Sequence, residues 1–96
     1  MDDGAFELTF AICIDSGAED ATERAVSAIE VVTRFKEKLA GVKARTGVSA
    51  KDGFVKIALT IHGDVPADLL ELLWKDHLDE NGIEDSERAP PRVERA

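Results

Sequence analysis

The chain has 96 residues, 44% of them hydrophobic and 33% charged, which fits one globular domain and excludes a disordered chain. Twenty acidic against twelve basic side chains give a formal charge of −8. No run of Lys and Arg stands ready to neutralise a phosphate backbone or an anionic bilayer, so neither direct nucleic-acid binding nor membrane association is expected.

The first element is a strand. From Ala5 to Ile14, Phe6, Leu8, Phe10, Ile12 and Ile14 alternate with Glu7, Thr9, Ala11 and Cys13, the period-two pattern of a half-buried strand. Ser16 and Glu19 have the spacing of a capping box. Beyond them Ala21, Ala25, Ala28, Ile29, Val32, Phe35 and Leu39 form one apolar stripe at three- and four-residue intervals. With Gly41 as its stop, the predicted helix runs from about Gly17 to Ala40, a length of ~36 Å.

Val42 to Ser49 is a weaker strand. Asp52-Gly53 is a hairpin signal, and Phe54 to His62 is a third strand with Val55, Ile57, Leu59 and Ile61 facing inward. Asp64 or Val65 is expected to cap a second helix, with Pro66 in its first turn. That helix ends near Glu80, before Asn81-Gly82. The remainder is polar and interrupted by Pro90 and Pro91, which reads as a flexible tail over residues 85–96, outside a single α+β domain of residues 1–84.

The order βαββα suits a two-layer sandwich, ferredoxin-like without the fourth strand, in which an antiparallel sheet carries both helices on one face. The third strand is then central. The first strand keeps a bare edge, which soluble proteins rarely leave unpaired.

Cys13 is the only cysteine, so no intramolecular disulfide forms. The opening Met-Asp-Asp-Gly lacks the basic start of a signal peptide, and no apolar run approaches ~18 residues, so a cytoplasmic location is expected. The chain has no glycine-rich phosphate loop, Cys-x-x-Cys, His-Glu-x-x-His or Gly-x-Ser-x-Gly, which lowers the expectation of an enzyme and suggests no cofactor.

His62, Asp64 and His77, with Cys13, are residue types that suit a first-row metal, but their spacing matches no compact ligand pattern. No metal site is expected. Cys13 would need His62 as its base, and antiparallel pairing of the first and third strands sets the two at opposite ends. On the open sheet face Thr9, Ala11, Cys13, Ala58 and Thr60 are small and uncharged, a surface suited to a second subunit or a ligand.

In the second helix Leu69, Leu70, Leu72, Leu73, Trp74, His77 and Leu78 cover an arc of roughly 240°, where one sheet contact needs little more than ~100°. These features together suggest a small acidic, non-enzymatic interaction module: a homodimer, an adaptor or an inhibitor. Its contacts would be Trp74, Leu70 and Leu78 on the helix and Thr9, Ala11 and Thr60 on the sheet, with a second copy or another protein as partner. The alternative is a small-ligand protein or enzyme whose pocket, lined by Cys13, His62 and His77, forms at a dimer interface. A further alternative is an inhibitor that imitates nucleic acid.

Overall fold

The computed structural model describes residues 6–39, 41–63 and 66–95. Strand β1 is Phe6–Asp15, helix α1 Ala21–Lys38, strand β2 Lys43–Lys51, strand β3 Phe54–His62, helix α2 Ala67–Glu80 and strand β4 Arg92–Arg95, with a 3-10 turn at Asp85–Glu87 before β4. The sheet is antiparallel throughout, in the order β2-β3-β1-β4. The fold is therefore α+β, two helices on a four-stranded sheet, and the expected architecture holds in class and in strand pairing.

The fourth strand is the main departure. Phe6 to Thr9 pair with Arg95 to Arg92, and further along β1 the Ala89 N–H donates to the Ala11 carbonyl at 3.1 Å. The edge of β1 is thus covered: within the segment 85–96, expected to be a flexible tail, Arg92–Arg95 form a strand and Arg88 bridges Ile12. Two ion pairs hold the turn that leads into β4. Arg24 donates through Nε to Glu87 Oε2 at 2.7 Å, and Arg88 Nη2 reaches Asp79 Oδ1 at 2.7 Å and the Ile83 carbonyl at the same distance. No period-two apolar pattern marks β4, because backbone bonds and charges hold it rather than burial. The edge strands of the sheet are therefore β2 and the short β4, with β1 inside.

Helix α1 begins at Ala21, four residues later than expected. Ser16 does not cap it: the Ser16 hydroxyl and N–H both donate to the Gly53 carbonyl, at 2.7 and 2.9 Å, tying the end of β1 to the β2–β3 hairpin. Asp20 takes the N-cap position without a side-chain bond. The Asp52-Gly53 turn has positive φ at both residues, 54° and 82°, which is the two-residue turn whose twist matches the flanking strands. At the start of α2, Pro66 is the N-cap rather than a first-turn residue; Asp64 and Val65 lie outside the described residues.

The end of α2 follows the sequence closely. Gly82 has φ 71°. Its N–H bonds the Asp79 carbonyl while Ile83 N–H bonds that of Leu78, the paired bonds of a Schellman motif.

The core fills the space between sheet and helices. Leu8, Phe10, Ile12 and Ile14 of β1 and Ile57, Leu59 and Ile61 of β3 meet Ala28, Val31, Val32 and Phe35 of α1 and Leu70, Trp74 and Leu78 of α2. Three aromatic rings sit at its centre: Trp74 stacks on Phe10 with centroids 5.1 Å apart, and Phe35 meets Trp74 edge-on at 5.1 Å. Among the described residues no helix is long and apolar enough to cross a membrane.

Candidate functional site

Trp74, Leu70 and Leu78 do not form an exposed contact surface. They point into the domain, and Trp74 is only 4% exposed. An apolar arc on a helical wheel gives the amount of surface to be covered, not which part of it the domain covers for itself. The surplus lies elsewhere on the same helix. Leu69 is 52% exposed, Leu72 62% and Leu73 43%, so three leucines at i, i+3 and i+4 make a ridge turned away from the strip of Leu70, Trp74, His77 and Leu78. That second strip could have been read from the spacing.

The ridge is rimmed by carboxylates. Asp68, Glu71, Asp76, Asp79 and Glu80 share α2 with a single Lys75. Beside Leu72, a cleft of about 690 Å³ opens between α2 and the segment leading into β4, lined by Leu72, Trp74, Leu78, Arg88, Ala89 and Pro91 among others. A smaller cleft of about 330 Å³ on the other flank is bordered by Leu73, Asp76 and Glu80 from α2 and by Phe35, Lys38 and Leu39 from the α1 side. The ridge therefore stands between two concave strips. Arg88, with Lys75 adding to it, holds the Asp79 carboxyl below the usual carboxylate range.

His77 is a structural residue. It is buried, its Nε2 lies 2.8 Å from the Val31 carbonyl and its Nδ1 lies 3.0 Å from Lys38 Nζ. A lysine ammonium can only donate, so Nδ1 accepts and Nε2 carries the proton that Val31 receives. Both ring nitrogens are occupied, which leaves no position for a ligand. His62 sits on the opposite side of the sheet, its Nδ1 3.2 Å from Glu7 Oε2.

Cys13 is opposite Lys56 in the β1–β3 register, whereas His62 is opposite Glu7. Six residues of strand, roughly 20 Å, separate the thiol from the imidazole. Cys13, His62 and His77 are thus not brought together; Asp64, the fourth residue considered for a metal, lies outside the described residues. Among the described residues no group of three or more His, Cys, Asp or Glu side chains converges as a metal site.

The open sheet face is ordered by its register. Lys43, His62, Glu7 and Glu94 form one row across the strands, and Arg45, Thr60, Thr9 and Arg92 form the next. Thr9 and Thr60 join hydroxyls at 3.3 Å. Ala11 is buried in the row that follows, so of the three sheet residues proposed as contacts only Thr9 and Thr60 keep surface. Toward the hairpin, Cys13, Ser49, Phe54 and Lys56 with Ala89 and Pro90 line a cleft of about 650 Å³. Cations gather along β2: Lys43, Arg45 and Lys51 share this face, and among the described residues none of them has a carboxylate partner. A chain that is acidic overall thus presents one basic strand. All three lie within nine consecutive residues, and the period of two along the strand puts them on one face.

No protein-family model and no curated protein matches the chain. Solved structures similar to it in fold include two designed proteins. One is the de novo designed protein Foldit4, at 19% identity over 96% of this chain and 98% of that one, with a TM-score of 0.55. The other is the de novo designed protein Ferredog-Diesel, at 14% identity over 99% of this chain and 88% of that one, with a TM-score of 0.55. At such identities the likeness concerns the fold alone.

Proposed function

We propose that the protein is a non-enzymatic interaction module, an adaptor or inhibitor, that receives a basic amphipathic segment of another protein on the outer face of α2. The observation that carries this reading is the leucine ridge. Leu69, Leu72 and Leu73 stand exposed together on the same helix as five carboxylates and one lysine. An apolar strip at helical spacing suits a partner helix laid alongside it, and the carboxylate rim favours a partner bearing Lys or Arg. A second copy of the chain would bring its own carboxylates against these, so a homodimer through α2 is the less favoured form.

The test uses a fluorescent helical peptide with leucines at i, i+3 and i+4 flanked by lysines, titrated against the full chain by anisotropy. Binding that weakens with salt and is lost in Leu72→Glu is expected. Leu72 is exposed, so that change should alter stability by no more than about 0.5 kcal/mol. Binding unaffected by Leu72→Glu would remove the ridge as the contact. A dimer mass that Leu72→Glu converts to a monomer would give the ridge to a second copy instead.

A further inference from the structure

β2 is an edge strand, paired with β3 on one side and with no other strand of the described chain on the other. In an antiparallel pair alternate residues direct their N–H and C=O groups toward the partner, and the residues between them direct theirs outward. Nine residues of β2 therefore hold a row of free backbone donors and acceptors along roughly 30 Å.

The two faces of this edge differ. Ala44, Thr46 and Val48 pair with Ile61, Leu59 and Ile57, which are core residues, so these three lie on the helix side. Only Ala44 is half-buried there, and Val48 is 58% exposed. Helix α1 packs against this side of β2. Arg24, Arg34 and Lys38 contact Glu87, Asn81 and His77, so at 100° per residue the opposite flank carries Ile29 and Lys36. Ile29 is 39% exposed. On the other face of β2 stand Lys43, Arg45 and Lys51.

We infer that this edge takes an extended acidic segment of a partner protein as an added strand. Alternate Asp or Glu side chains of that segment meet Lys43, Arg45 and Lys51, and the apolar residues between them cover Val48 and Ile29, while main-chain bonds supply the pairing. Charge selects this occupant over a second copy. Antiparallel self-pairing centred on Gly47 sets Lys43 of one copy against Lys51 of the other, and like charges directly opposite are destabilising. Cations on an edge strand are by themselves a guard against aggregation. The apolar surface left open beneath the same edge is what a guard alone does not explain. This surface is separate from the leucine ridge of α2 and stands or falls without it.

The experiment titrates the full chain with a labelled peptide of about nine residues alternating Glu and Val, and with a control alternating Lys and Val. Selective binding of the acidic peptide, weakened by salt, is expected, with slowed amide hydrogen exchange confined to β2. The triple change Lys43→Glu, Arg45→Glu and Lys51→Glu should weaken the acidic peptide by roughly tenfold or more and favour the basic one. Should the triple variant lose its circular-dichroism signature, Lys51→Glu alone is expected to weaken binding and the exchange map of the unaltered chain decides. Equal binding of both peptides, binding without protection of β2, or displacement of the peptide by a short oligothymidylate of matched charge would each overturn the inference. So would a dimer whose β2 amides are already protected without peptide.

Discussion

Trp74 shows how far a single residue can be read from sequence. Its type suggested a contact with a partner, and its position in the structure makes it the middle ring of Phe10, Trp74 and Phe35. Trp74→Ala should therefore cost ~3–5 kcal/mol of stability, a large part of what a domain of this size holds; denaturant unfolding checks this, and a loss below about 1 kcal/mol would contradict the packing. His77→Phe keeps volume but strands the Val31 carbonyl and the Lys38 ammonium, and a loss of ~1–3 kcal/mol is expected in the same assay. Asp79 gives a pH signature. Its carboxyl is depressed in the fold by Arg88, so its contribution is present above the unfolded carboxyl's ordinary value near 3.9 and fades as pH falls through the lower folded one. The gap in melting temperature between the protein and Asp79→Asn should therefore narrow below about pH 4; a gap that widens there would contradict the pairing.

At the scale of elements, alternation in β1 and β3, the Asp52-Gly53 turn and the Asn81-Gly82 stop were legible because each depends on local chemistry. The start of α1 was not, since Ser16 bonds a hairpin 37 residues away in the chain and no local rule contains that partner. β4 escaped for a related reason. Its four residues contribute Val93 as their one aliphatic side chain, and that residue is itself exposed, so the strand leaves no apolar signature. Deleting Ser86 to Ala96 removes β4, the Arg24–Glu87 pair and the Arg88 bonds. With each hydrogen bond worth about 1 kcal/mol and each kcal/mol worth roughly 4–8 °C, the melting temperature should fall by roughly ten degrees or more. A change of only a few degrees would mean that the sheet does not depend on its fourth strand.

Over the whole molecule, the charge of −8 conceals a partition that composition cannot express. Carboxylates surround the leucine ridge of α2, while three cations with no carboxylate partner among the described residues line β2 at the sheet edge. The candidate surface was half legible: the excess of apolar residues on α2 was visible, but which of them the core would claim depended on how α1 and the sheet packed around the helix. The central claim, that Leu69, Leu72 and Leu73 form the face that receives a partner, is tested most directly by backbone amide shifts in an NMR titration with the basic amphipathic peptide. Shifts concentrated between Ala67 and Glu80, and abolished by Leu72→Glu, are what this account predicts. Shifts that fall instead along β2, or an α2 whose amides remain unmoved at saturating peptide, would contradict it.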